Sequence, residues 1–173
     1  MLSSELHKLV KISLIGFPAT GKTTMAKLLS KNIIDRFYIP THGLDLKTLK
    51  YDGYFLRIWD LGGQKSYLKT YPKDYLLGSD LIFVVTDSTP RNVLNSRELI
   101  NYACNFVGEE CPIIAIANKQ DLNDGRMDAK RVEDLLHVKT YGLTAINPED
   151  RSTLLNIIKK ELEHIAIRRG LIE

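Results

Sequence analysis

Gly16-Phe17-Pro18-Ala19-Thr20-Gly21-Lys22-Thr23 fits the pattern G-x-x-x-x-G-K-[ST], and its flanks are the ones that pattern requires. The apolar run Leu9–Ile15 leads in as a buried strand, and Thr24–Ser30 leads out as the start of a helix. A strand that passes into a helix through a glycine-rich loop turns its backbone N–H groups toward whatever sits above the helix N-terminus. The glycines keep side chains out of the way, and the helix dipole favours negative charge there. Such a loop cradles the phosphates of a nucleotide. Lys22 is placed to reach the β- and γ-phosphates, and the Thr23 hydroxyl to ligate Mg²⁺. Ala19, Thr20 and Gly21 belong to the same nucleotide-binding loop.

Outward from the loop, strand-like runs recur at Val10–Ile15, Leu44–Tyr51, Tyr54–Asp60, Leu81–Asp87, Ile113–Asn118 and Lys139–Leu143. Between several of them lie helix-period segments, Thr23–Ile34, Val93–Val107, Ala129–Leu136 and Arg151–Ile167. Strands alternating with helices predict an α/β fold, a mostly parallel six-stranded sheet with helices on both faces. Asp52-Gly53 is a tight-turn signal, so Leu44–Tyr51 and Tyr54–Asp60 should form an antiparallel edge hairpin. Right-handed crossovers then bring the ends of the first, third, fourth and fifth strands to one rim, where open α/β sheets bind ligands. The reading is one domain over residues 1–173, with 1–8 as a short N-terminal extension.

Two further motifs lie at strand ends on that rim. Asp60-Leu61-Gly62-Gly63-Gln64 follows the strand that contains Trp59. Asp60 can hold Mg²⁺ through a water, Gly63 lets the backbone approach a γ-phosphate, and Gln64 can orient an attacking water. Asn118-Lys119-Gln120-Asp121 fits N-K-x-D. A carboxylate at Asp121 accepts from both N1–H and N2–H₂ of guanine, whereas adenine offers no such donor pair. Lys119 can lie over the base plane, and Asn118 can tie this loop to the phosphate loop. Thr144 and Ala145 follow the last strand, where a backbone N–H can meet the guanine O6. Thr41, between the first helix and the second strand, can complete Mg²⁺ coordination when a γ-phosphate is present.

Composition narrows the class. With 173 residues, 44% hydrophobic and 26% charged, the chain suits a globular core and has no apolar run of membrane-spanning length. Met1–Lys8 lacks a signal-peptide layout, and Cys104 and Cys111 are too few for a disulfide framework, which points to a cytoplasmic protein with reduced thiols. The net charge of +3 is small and its lysines alternate with acids, so nucleic acid is not an expected partner. His7, His42, His137 and His164 form no ligand set for zinc.

Pro40-Thr41-His42-Gly43, Trp59-Asp60-Leu61-Gly62-Gly63-Gln64, Asn118-Lys119-Gln120-Asp121 and the second threonine of Gly21-Lys22-Thr23-Thr24 together resemble the Arf/Sar branch of the small GTPases. The similarity runs in order from about Leu9 to Leu162. It implies a GTP- and GDP-binding G domain with Mg²⁺, a molecular switch that hydrolyses GTP slowly in membrane-associated trafficking or polarity. Carried over by residue, Thr24 meets the α-phosphate, Thr41 and Gly63 sense the γ-phosphate, and Gln64 is the catalytic glutamine with Lys22 and Thr41 beside it. Asn118, Lys119, Asp121 and Ala145 then form the base site. The resemblance also implies an exchange factor, an activating protein and effectors as partners. The hairpin is further expected to slide by two residues between nucleotide states. Tyr38 stands where G-protein α-subunits carry an arginine, and Arg36 is two residues off, so turnover should depend on a partner's group.

The departures from the family pattern define what differs here. Pro18 stands where Arf proteins usually have Asp, which removes a backbone donor and stiffens the loop. His42 replaces a usual Ile, and Leu44 a usual Phe among the effector-facing aromatics; Trp59 is kept, with Tyr71 and Tyr75 as approximate partners. Leu2 occupies the place of the myristoylated glycine, so the acylation signal is absent; Leu2, Leu6 and Leu9 can make a two-turn helical stripe of weak membrane affinity, and the other reading is a short helix or frayed end packed on the core. Other readings are a non-switching GTP-bound scaffold subunit, a prokaryotic-type polarity GTPase paired with a roadblock-domain protein, and a small P-loop kinase.

Overall fold

The computed structural model describes residues 8–30, 43–63 and 72–170. Its strands are β1 (Lys8–Ile15), β2 (Leu44–Tyr51), β3 (Tyr54–Leu61), β4 (Leu81–Thr86), β5 (Ile113–Ala117) and β6 (Thr140–Gly142). Among the described residues the helices are α1 (Lys22–Ser30), α2 (Pro72–Leu76), α3 (Pro90–Cys104), α4 (Ala129–Leu136) and α5 (Asp150–Arg168). One six-stranded sheet carries the order β2-β3-β1-β4-β5-β6. Every neighbouring pair is parallel except β2 with β3, as the turn signal predicts. Asp52 and Gly53 both have positive φ, 49° and 77°, the backbone of a tight hairpin turn whose twist matches its strands.

Alternation along the strands sorts the core to two faces. Val10, Ile12 and Leu14 of β1, Leu56 and Ile58 of β3, and Phe83 of β4 pack under Met25 and Leu29 of α1 and Leu154 and Ile158 of α5. Ile15, Ile82, Val84 and Ala115 face the other way, against Val93 and Leu99 of α3 and Val132 of α4. All of β4 is buried, which is why Leu81–Thr86 reads as a continuous apolar run rather than an alternating one. Glu161 of α5 is the carboxylate sunk into this packing. It accepts the Tyr141 hydroxyl at 2.7 Å and pairs with Lys139, so α5 is tied to the edge strand by charge as well as by area.

Helix ends follow local chemistry that periodicity misses. α3 starts three residues ahead of the expected Val93 because Thr89 caps it, accepting from the Asn92 N–H, and Pro90 supplies a preset φ at the first turn. It stops at Cys104 rather than Val107, where the Asn105 and Phe106 N–H groups bond three residues back to Tyr102 and Ala103. α4 keeps its predicted bounds; Asp128 accepts from the Arg131 N–H at 2.8 Å, and His137 closes the far end at φ 56°. The α2 turn has only five residues, too few to show a period, and was not foreseen. The first helix is described to Ser30, so the expected extension to Ile34 lies outside the described residues.

The N-terminal stripe needs correction. Leu9 is a β1 residue opposite Phe55 of β3, and it is 59% exposed on the open sheet face, not part of a helix; Leu2 and Leu6 lie outside the described residues. On the same face the Lys11 ammonium sits 3.9 Å from the Trp59 ring centroid and donates to the Leu77 carbonyl at 2.7 Å. Tyr75 is 6.1 Å from Trp59, ring to ring, so one approximate aromatic partner is in place, and Leu44 packs beside the second cluster; Tyr71 is outside the described residues. No described helix is long and apolar enough to cross a membrane.

Burial predicts how these positions respond to truncation. Ile58→Ala, at a fully buried site, should cost about 2–5 kcal/mol, whereas Leu46→Ala, at a position 53% exposed, should stay within about 0.5 kcal/mol. Urea unfolding of the two variants beside the parent checks the contrast.

Candidate functional site

The chain leaves the parallel strands at one rim, and each exit carries a segment singled out in the sequence. Residues 16–21 follow β1, 62–63 follow β3, 87–89 follow β4, 118–121 follow β5, and 143–147 follow β6. Sequence separations of about 100 residues therefore close into one neighbourhood.

At its centre stands Asn118, 2% exposed. Its Nδ2 donates to the Thr20 carbonyl at 2.9 Å, and its Oδ1 accepts from the Ala145 N–H at 2.9 Å. One amide thus joins the phosphate-loop segment, the N-K-x-D segment and the loop after β6. The closeness dictates Gly21: a Cβ there would lie 2.1 Å from Asn118 Nδ2, and its φ of 102° already disfavours a side chain. The Ala145 N–H, expected to face a base oxygen, is first engaged by Asn118. Thr144 is held from behind, its N–H donating to Asp150 Oδ2 at 2.6 Å at the start of α5.

The phosphate-loop segment is closed on itself. Thr20 Oγ1 donates to the Phe17 carbonyl at 3.0 Å, and Lys22 Nζ donates to the carbonyls of Gly16 and Phe17 at 2.9 and 2.8 Å. Thr24 follows on α1, partly buried, and Ala19 is exposed with φ 61°. The α1 N-terminus begins at Lys22 itself, with the Met25 N–H bonded to the Gly21 carbonyl at 2.9 Å. Burial pulls the Lys22 ammonium down to about 8, while the Asp60 carboxylate works in the opposite direction. A buried cation that donates to two backbone carbonyls is poised to take an anion.

Asp60 completes that corner. It is fully buried, and its Oδ2 accepts the Thr23 hydroxyl at 2.5 Å. Burial raises its carboxyl above the ordinary range, more than the Thr23 hydrogen bond and the Lys22 charge lower it. Its Oδ1 has no hydrogen-bond partner among the described residues. A spare buried carboxylate oxygen beside a threonine hydroxyl fits a hard divalent cation, which prefers oxygen donors. Among the described residues no three His, Cys, Asp or Glu side chains gather into another metal cluster.

Gly63 has a steric reason to be glycine beyond the one the sequence suggests. A Cβ there would meet Phe17 C and Pro18 N at 2.6 Å and Gly16 O at 2.8 Å, so the chain after β3 lies directly on the phosphate-loop backbone. The Gly62 N–H also donates to the Gly43 carbonyl at 2.8 Å, joining the entry of β2 to the exit of β3. Thr41, His42 and Gln64 lie outside the described residues. Pro18 is exposed, and Lys119 takes φ 63° ahead of an exposed Asp121.

Sequence reasoning passed over Asp150 and Ser88. Ser88 is fully buried at φ 68°, two residues past the end of β4 on the same rim, and its Oγ donates to the Asn118 carbonyl at 2.6 Å. A polar turn at the end of a central strand was the available signal. Concavity would have misled, because a hollow of about 620 Å³ among Glu133, Asp134, His137, Val138 and Lys139 contains none of these residues.

Comparison with known proteins agrees with this geometry. The model of the ADP-ribosylation factor family, Arf, matches residues 1–163. ADP-ribosylation factor-like protein 2 of Drosophila melanogaster is 35% identical over 132 residues, which cover 75% of this chain and 70% of that protein. ADP-ribosylation factor-like protein 3 of Chlamydomonas reinhardtii is 37% identical over 116 residues, 65% of this chain and 63% of that protein. With its rim of strand-end loops and the order of its motifs, this chain belongs to the ADP-ribosylation factor family of small GTPases.

Proposed function

We propose that the chain is a guanine-nucleotide switch that binds GTP with Mg²⁺ at this rim and hydrolyses it slowly to GDP. The observation that carries the reading is the Asn118 amide, which locks the phosphate loop at Thr20 to the base loops at Ala145. Phosphate recognition and base recognition then act as one rigid unit. Ala19, Thr20, Gly21, Lys22, Thr23 and Thr24 hold the phosphates; Asn118, Lys119, Asp121, Thr144 and Ala145 hold the base. Thr23, Thr41 and Asp60, the last through a water, would hold Mg²⁺, which supplies charge neutralisation on the phosphate oxygens when bound.

In the hydrolytic step a water oxygen attacks the γ-phosphorus, the bond to the β-phosphate oxygen breaks, and the electron pair leaves on GDP. Lys22 stabilises the charge that moves onto the leaving oxygens, and Gln64 orients the water. Thr41 and Gly63 report the γ-phosphate. Because Gly62 is bonded to Gly43 and Gly63 lies against Gly16–Pro18, release of that phosphate is felt at the open end of the hairpin, where the chain enters β2 and leaves β3. A two-residue slide of the present register, in which Leu44 faces Leu61 and Tyr51 faces Tyr54, would keep each side chain on its own face. We place this switch in the cytoplasm, with an exchange factor, an activating protein and effectors as partners in trafficking or polarity and a weak membrane contact through the N-terminal segment.

Base chemistry supplies the first test. Asp121→Asn replaces a double acceptor by one acceptor and one donor, so it should lower GDP affinity about 100-fold or more and raise affinity for xanthosine diphosphate, whose C2 carries an acceptor. Titration of both nucleotides checks it, and an unchanged GDP affinity would sink the base-site reading.

Lys22 supplies a second. Its free-state value of about 8 lies below that of a phosphate-paired lysine, so the neutral-amine fraction present near pH 8 takes up a proton on binding, and affinity weakens as pH rises past 8. Calorimetry of GDP binding without Mg²⁺ at pH 8, in two buffers of different ionisation enthalpy, should report uptake of roughly half a proton. Zero uptake contradicts it.

A third concerns hydrolysis. Gln64→Leu should leave GTP binding within about twofold and slow single-turnover hydrolysis at least about tenfold. An unchanged rate would remove Gln64 from the mechanism.

A further inference from the structure

Lys119 has φ 63°, a left-handed backbone that a side-chain-bearing residue keeps only when its surroundings enforce it. The residues on either side of it are tethered to one group. Ser88 Oγ donates to the Asn118 carbonyl at 2.6 Å and accepts from Gln120 Nε2 at 2.9 Å. The second Nε2 hydrogen of Gln120 goes to the Met127 carbonyl at 3.0 Å, and the Met127 N–H returns to the Ser88 carbonyl at 2.8 Å. Ser88, Gln120 and Met127 thus form a closed ring in which both amide hydrogens and the hydroxyl hydrogen are used.

Ser88 is itself held. Its N–H donates to Thr86 Oγ1 at 3.2 Å, and that hydroxyl donates to Asn92 Oδ1 at 2.7 Å, in the first turn of α3. Ser88 also has φ 68° and is fully buried. Two consecutive rim loops therefore each hold a left-handed residue, and the two are pinned to each other through one hydroxyl. A strained residue with a buried, saturated hydrogen-bond set is kept for the geometry it imposes on its neighbours.

We propose that Ser88 and Gln120 are positioning residues for guanine selection: by pinning Asn118 and Gln120 on both sides of left-handed Lys119, they set the direction in which Asp121 is presented to the base. The proposal rests on the reading of residues 118–121 as the base site. Asp121 is exposed and follows Gln120 directly, so its aim is inherited from the backbone that the brace holds. Loss of the brace blunts discrimination at the edge where Asp121 accepts two hydrogens.

The test compares GDP with inosine diphosphate, which keeps N1–H and lacks the 2-amino group. Affinities for both, and for ADP, are measured by titration on the full chain as wild type, Ser88→Gly, Gln120→Met and Tyr141→Phe. Glycine accepts the positive φ, so Ser88→Gly removes the hydroxyl without adding backbone strain. Tyr141→Phe removes a hydrogen bond to Glu161, outside the Ser88–Gln120–Met127 ring, and serves as a stability control. The expected result is a fall of about fivefold or more in the GDP-to-inosine-diphosphate preference for Ser88→Gly and Gln120→Met, with the control ratio unchanged. Should Gln120→Met not fold, Gln120→Asn, with the amide kept and one methylene removed, is read by the same ratio. A preference unchanged in the Ser88 and Gln120 variants, however much overall affinity drops, overturns the brace and leaves the base site standing. A wild type that holds ADP as tightly as GDP overturns both.

Discussion

The Asn118 amide is the contact on which the site depends. It is almost fully buried, it donates to Thr20 and accepts from Ala145, and neither partner is near it in sequence. A buried amide left with unpaired polar groups costs about 1–3 kcal/mol for each, so the three loops share one minimum and leave it together. The same constraint explains Gly21, whose missing side chain is the space that Asn118 Nδ2 occupies. Sheet order makes the contact available: β1 and β5 flank β4, so the loops after β1 and β5 emerge close together on the same rim.

Charge is distributed unevenly around that amide. On the phosphate side, Lys22 and Asp60 are both buried, and burial shifts each toward its neutral form. An anionic nucleotide beside Lys22 and a divalent cation beside Asp60 would each oppose that shift. On the other side Asn118 and Gln120 are held through the Ser88 hydroxyl, and the Thr144 N–H through the Asp150 carboxylate, bonds that fix loop direction. Gly63 lies against the phosphate-loop backbone and Gly62 against Gly43, so the hairpin β2–β3 is mechanically continuous with the phosphate side.

The open sheet face has a separate logic. Leu9, Leu46 and Phe55 are exposed there, while Lys11 covers the Trp59 ring with its ammonium and ties itself to the Leu77 carbonyl. The opposite face of the same strands is closed under α1 and α5, because Val10, Ile12, Leu56 and Ile58 all point that way. A period of two residues creates this asymmetry: one register serves both an interior and a surface.

Short-range chemistry decided much of this protein before any folding. The phosphate-loop octet between an apolar strand and a helix, the Asp52-Gly53 turn, and the apolar runs ending at Asp60 and Asn118 specify the sheet class and the rim, because period and turn geometry are local properties. Family motifs in order along nearly the whole chain named the class of ligand for the same reason. Tertiary structure alone decided the rest. Ser88 and Asp150 look like ordinary turn and helix-start residues until β4, β5 and α5 bring them against Asn118 and Thr144. The steric demand at Gly63, the joint shifts of Lys22 and Asp60, and the exposure of Leu9 all depend on which chain segments come to lie beside them. Burial and approach are properties of chain segments far apart in sequence, and only packing creates them.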